Sequence, residues 1–185
     1  NDAALIVIDV QEGFNDPSWG PRNNPDCEAN VAALVRAWTE ARLPVVLVHH
    51  DSTTDGSPLE AGSDGNRYKA FLDGVTPALT IAKRVHSAFY GDPSLEEWLQ
   101  DEGIKSVAVC GITTDHCCET TVRMAGDLGY DTYFIVDATH TFDRVHPDGT
   151  NVRADDIARA SAAKIHNEFA TVTSTAEAVG AVAGP

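Results

Sequence analysis

Positive charge is scarce in this chain: 13 Lys and Arg stand against 28 Asp and Glu, a formal net charge of -15. Phosphate backbones and anionic membrane surfaces are held by clustered cations, so neither nucleic acid nor a membrane is expected as a partner. Long apolar runs are missing too. No stretch approaches the roughly 20 residues a membrane helix needs, and Asn1 to Asp9 carries no basic n-region of a secretory leader. Cysteine is sparse: Cys27, Cys110, Cys117 and Cys118 show neither the density of a disulfide scaffold nor the CxxC spacing of a zinc site. Reduced thiols in a cytoplasmic protein are the expectation. Internal repeats and low-complexity tracts are lacking as well, and 185 residues that are 43% hydrophobic suit one domain over 1–185.

Short apolar runs are what the chain does have, at 3–9, 44–50, 79–83, 106–110, 131–137 and 168–173. They are rich in Val and Ile and mostly do not alternate with polar residues, as in strands covered on both faces. Helical patterns lie between several of them. Val31, Leu34, Val35 and Trp38 mark a helix over about 27–42, and Ser94 with Glu97 has the spacing of a capping box opening the next. Two more helices are expected over about 115–128, closed by Gly129, and over 153–167. Strands alternating with helices predict an α/β protein: a three-layer, Rossmann-like sandwich with a mainly parallel sheet of about six strands and helices on both faces. Residues 51–74, rich in Gly, Ser and Asp, read as a long loop of the kind that carries function.

Open parallel sheets bind ligands outside the carboxyl ends of their strands. The expected strands end in Asp9, in His49, His50 and Asp51, in Lys83, and in a turn leading to Cys117. An acid, an ammonium and a thiol therefore converge on one rim. A thiol needs a base to take its proton or a cation to lower its pKa, and Asp9 offers the first, Lys83 the second. A helix starting near Thr114 adds unpaired N–H groups and the positive end of its dipole. Each residue also has a plain reading, as a turn-capping Asp, a solvated Lys or a packed Cys, and spacing alone leaves both open. Neighbouring side chains on a strand point to opposite faces, so His49, His50 and Asp51 cannot all reach one ion, and no metal is expected.

Three stretches, "ALIVIDVQEGF" (4–14), "IAKRVHSAF" (81–89) and "VCGITTDHCCETTVRMAGDLGYDTYFIVDAT" (109–139), resemble the isochorismatase-like cysteine hydrolases in content, order and interval, over about residues 3–180. The resemblance implies that fold and a catalytic triad of Asp9, Lys83 and Cys117. The family pattern of Gly, two residues, Thr, Asp, one residue, Cys falls on Gly111, Thr114, Asp115 and Cys117, which selects Cys117 over Cys118. It further implies a non-proline cis peptide between Ile112 and Thr113, and an oxyanion hole made by the backbone N–H groups of Thr113 and Cys117.

The implied activity is hydrolysis of a small amide or lactam C–N bond through a thioester on the enzyme, without a cofactor. Vinyl ether hydrolysis of the isochorismatase type, or ligand binding without catalysis, are the alternatives. The stretches "EGFNDPSWGPRNNP", "GITTDHCCETT" and "DATHTFDR" are similar to a subgroup that includes streptothricin hydrolase, which implies a lactam. Gln11, Phe14, Trp19, Phe89, Tyr90 and His116 lie near the motif residues and are the candidates to line the substrate pocket, with Gln11 expected beside Asp9. The resemblance also implies a homodimer or homotetramer.

Overall fold

The computed structural model describes residues 3–184, so residues 1, 2 and 185 of the expected domain lie outside the described residues. The chain runs β1 (Ala4–Ile8), α1 (Cys27–Glu40), β2 (Val45–His50), β3 (Leu79–Lys83), α2 (Leu95–Asp101), β4 (Ser106–Ile112), α3 (Glu119–Asp127) and β5 (Asp131–His140). It then continues through β6 (Arg144–Val145), β7 (Asn151–Val152), α4 (Ala154–Ile165), β8 (Thr171–Thr173) and α5 (Thr175–Ala183). Six strands make one parallel sheet in the order β3-β2-β1-β4-β5-β8, and β6 pairs with β7 in a small antiparallel hairpin.

Every residue of β1 is buried, because the sheet is covered on both faces. Ala4, Ile6 and Ile8 face a core closed by Leu95 and Leu99 of α2, Val122 and Ala125 of α3 and Ile165 of α4. The alternate residues Leu5 and Val7 face the other core, against Val31, Leu34 and Trp38 of α1 and the partly buried Ala178 and Val179 of α5. This is the expected α/β sandwich. Chain order reverses between the central strands β1 and β4, which places a crevice at their carboxyl ends. Gly111 lets β4 lie close to β1 there: its φ is +124°, and a Cβ would fall 2.0 Å from the Ile8 carbonyl oxygen.

Several expectations need correcting. Residues 167–169 form a turn leaving α4, with the Phe169 N–H donating to the Ile165 carbonyl, and Ala170 makes only an isolated bridge to His166, so β8 keeps only three of its six expected residues. Helix α5 escaped notice because its sequence, TAEAVGAVA, is made of small residues with no aromatic anchor. The reciprocal capping box forms at Ser174 and Glu177 of that helix, whereas at α2 the Ser94 hydroxyl accepts from the Glu97 N–H without a bond in return. Around Cys117 the chain first makes one wide turn, Thr114–Cys118, and becomes α-helical only at Glu119.

Candidate active site

Three strand ends and the wide turn supply the site. Asp9 follows β1 with φ of +49°, a left-handed conformation that non-glycine residues seldom adopt and that recurs at functional sites. Lys83 closes β3, in register with His50 at the end of β2. Beyond β4, the peptide between Ile112 and Thr113 is cis. The chain then turns so that Cys117 faces the crevice, while Cys118 is fully buried in the core.

The ammonium of Lys83 is the hub. Its Nζ lies 2.6 Å from Asp9 Oδ2, 3.3 Å from Cys117 Sγ and 3.3 Å from His50 Nδ1. A lysine has three N–H donors and no acceptor, so all three are used, and His50 must present an unprotonated Nδ1. Burial, together with the Lys83 charge, pushes His50 below the ordinary imidazole value, in keeping with that neutral ring. Burial also opposes the charge on Lys83, but Asp9 and Cys117 outweigh it and the amine pKa is raised. Donor atoms of Asp9, His50 and Cys117 fall within 4.8 Å of one another, a grouping that could hold a metal. The ammonium, within hydrogen-bonding distance of all three, already takes the place of a cation there.

Asp9, His50 and Cys117, with Lys83 buried behind them, border a cleft of about 100 Å³ also lined by Phe14, Trp19, Leu59, Thr113 and His116, among others. Of the pocket candidates, Phe14, Trp19 and His116 line it, with Phe14 and Trp19 rings 5.2 Å apart. Phe89 and Tyr90 do not. Their short turn carries Phe89 into the core beside Tyr130, and leaves Tyr90 exposed to solvent. Gln11 does not line the cleft either: its backbone N–H donates to the Asp9 carbonyl, as its place beside Asp9 suggests, but its side chain is engaged elsewhere. Its amide oxygen accepts from the His50 N–H at 2.8 Å and its amide nitrogen donates to the carbonyls of His50 and Asn66, so it ties the long loop to the end of β2.

Sequence reasoning missed His50, His86, Leu59 and Arg144 as cleft residues. His50 had a signal, its place at the carboxyl end of the second apolar run. His49 and Asp51 do share the other side of the strand, where Nε2 and Oδ1 are 3.3 Å apart. Leu59 and His86 arrive on irregular segments and Arg144 on a two-residue strand, too short for a period to mark a direction. Behind the cleft, Thr139, His140, Thr141 and Phe142 are all buried, with the Phe142 ring 5.6 Å from that of Trp19.

A covered parallel sheet gathers an acid, an ammonium and a thiol at its switch point, the arrangement of an α/β enzyme with a thiol at its site. The Isochorismatase domain matches residues 3–177, and the chain belongs to the isochorismatase family. It is 38% identical over 172 residues to the isochorismatase family protein YrdC of Bacillus subtilis, covering 93% of this chain and 91% of that protein. It is 33% identical over 156 residues to Nicotinamidase 3 of Arabidopsis thaliana, covering 76% and 74%. The crystal structure of a hydrolase of the isochorismatase family from Chromobacterium violaceum superposes with a TM-score of 0.92 at 34% identity, over 98% of this chain and 94% of that one.

Proposed function

We propose that the protein is a cysteine-dependent amidohydrolase that cleaves a small amide or lactam C–N bond through a thioester on Cys117. The observation that carries this reading is the buried Lys83 ammonium, 2.6 Å from the Asp9 carboxylate and 3.3 Å from the Cys117 sulfur, two groups that line the cleft. The nicotinamidase named among the relatives supports an amide as the bond attacked.

Burial and the nearby Asp9 carboxylate push the Cys117 thiol well up, with Lys83 pulling the other way, so the resting sulfur is protonated. Catalysis then needs a base, and Asp9 offers one: its Oδ1 is buried without a partner among the described residues. As sulfur adds to the amide carbon, its proton passes to Asp9. Lys83 stays charged throughout and balances the negative charge wherever it resides. The oxyanion takes the N–H groups of Thr113 and Cys117, and one such donor is commonly worth about 3 kcal/mol of barrier. Collapse expels the amine, which leaves with the proton from Asp9 and a thioester behind it. Asp9, again a carboxylate, activates a water whose attack frees the acid and restores the thiol.

The cleft of about 100 Å³ is smaller than the roughly 300–1,000 Å³ usual for ligand sites. It encloses a compact amide, or the reacting ring of a larger lactam such as streptothricin. The test is ammonia release or ring opening across a panel of small amides and lactams, with acid-quenched mass spectrometry for an acyl adduct on Cys117. Turnover that survives in Cys117→Ala sinks the scheme, as does cleavage of a vinyl ether with no amide accepted.

A further inference from the structure

One cation on the cleft wall has no part in that chemistry: Arg144, carried in by the hairpin β6–β7. Its side chain is 32% exposed and its contacts are long. Nε donates to Asp115 Oδ2 at 3.4 Å, and Nη2 lies 3.5 Å from His116 Nδ1. A guanidinium has five N–H donors, and among the described residues no protein group accepts from Nη1. Asp115 is the more buried partner, at 13% exposure, and it also accepts from the Thr141 hydroxyl. It therefore anchors Arg144 from the protein side and leaves donors for a ligand.

Other features of the cleft agree. His86 and His116 line it with ring centroids 5.5 Å apart, beside Arg144. The Thr113 hydroxyl, also on the lining, is buried and has no partner among the described residues, a polar group left for something that enters. Phe14, Trp19 and Leu59 provide apolar wall for a short carbon skeleton. The rest of the protein, at a net charge of -15, repels anions, so a cation turned into this cleft works against the general field and serves a local purpose.

We propose that Arg144 is the specificity-determining residue of the site and binds a carboxylate on the substrate, so that the substrates are small amides bearing a carboxylate a few bonds from the scissile carbonyl. Guanidinium and carboxylate match as a planar, two-bond fork, which holds the carbonyl in one orientation over the thiol. The reaction converts such an amide and water into a dicarboxylate and ammonium. A polycation such as streptothricin meets a like charge at Arg144, which disfavours that expectation within the amide class. The proposal rests on the amidohydrolase reading and narrows it.

The test compares kcat/KM for ammonia release from succinamate and glutaramate, from neutral butyramide and from cationic 4-aminobutyramide. The expected wild-type order is anion over neutral by tenfold or more, with the cation poorest. Arg144→Gln should bring the anion-to-neutral ratio towards one by raising KM for the anionic amides, and Arg144→Lys should retain part of the preference. A wild-type ratio near one, or a preference that survives in Arg144→Gln, overturns the proposal and leaves the amidohydrolase reading standing. Calorimetry of succinate on Cys117→Ala, with and without Arg144→Gln, reads the subsite without turnover. Succinate binding that needs Arg144, with no amide hydrolysed, upholds the subsite while the amidohydrolase reading falls.

Discussion

The Nζ atom of Lys83 lies 2.6 Å from Oδ2 of Asp9, and neither side chain reaches solvent. Charges so deeply buried are tolerable only together. With Lys83→Met, the carboxylate is left buried and unpaired, a loss that typically costs about 3–5 kcal/mol. The pair variant Asp9→Asn with Lys83→Met should cost clearly less than the two single changes summed, while all three lack turnover. Urea unfolding of the four proteins gives the coupling, and simple additivity would contradict a paired site.

The same carboxylate holds the thiol proton in place. Because Asp9 raises the Cys117 pKa and Lys83 lowers it, Asp9→Asn should shift the balance towards thiolate. Iodoacetamide should then label Cys117 faster near neutral pH in Asp9→Asn than in the wild type, even though that variant no longer hydrolyses amides. Slower labelling in the variant would mean that Asp9 draws the proton off in the resting enzyme instead of keeping it on sulfur.

Chelators should leave amide hydrolysis unchanged. Lys83 stands within 3.3 Å of each of Asp9, His50 and Cys117, so a metal could bind those three only against its charge. Dialysis against a strong chelator followed by assay, with zinc added back, decides this. Activity lost on dialysis and restored by zinc would count against the ammonium's role.

His140 makes stability fall in acid. It is completely buried beside Phe142 and Phe14, neither ring nitrogen has a partner among the described residues, and burial, aided by the Arg22 and Lys69 charges, holds its pKa below the ordinary value. An unfolded imidazole takes up a proton near pH 6.5 that folded His140 refuses, so the unfolded state binds more protons and stability drops as pH falls below about 6.5. In His140→Leu the slope below that pH should be shallower by up to about 1.4 kcal/mol per pH unit. Unfolding free energies measured across that range for both proteins check it, and equal slopes would assign the proton elsewhere.

Gly111→Ala should be costly. The new methyl group would sit 2.0 Å from the Ile8 carbonyl oxygen, on a residue with φ of +124°. Backbone strain and displacement of β1 from β4 together should cost about 3 kcal/mol or more, read as a lower denaturation midpoint. Turnover should fall with it, since Asp9 and Cys117 ride on the ends of those two strands.

Much of the fold was legible because burial on both faces leaves a local mark. Runs such as "AALIVID" and "PVVLVHH" stay apolar through β1 and β2, and the helix around Val31, Leu34 and Trp38 repeats at its own period. Helix α5 left no such mark, since its partly buried face is made of Ala and Val among small residues. Asp9 and Lys83 were legible because each sits where a recognisable strand stops, and strands in a parallel sheet all stop on the same side, whereas Cys117, in the turn beyond β4, was set apart from Cys118 by the family resemblance.

The sequence by itself determined the layering, the side of the sheet where chemistry can occur, and the identity of the acid, ammonium and thiol gathered there. Only the tertiary structure decided the rest of the cleft. Arg144 and His86 reach it from a hairpin and a loop, Tyr90 turns out to solvent, and Gln11 spends its amide on the His50 backbone. Periodicity sets direction only inside helices and strands. Where the backbone is irregular, the direction of a side chain is settled by what it packs against, and those partners lie far away in the chain.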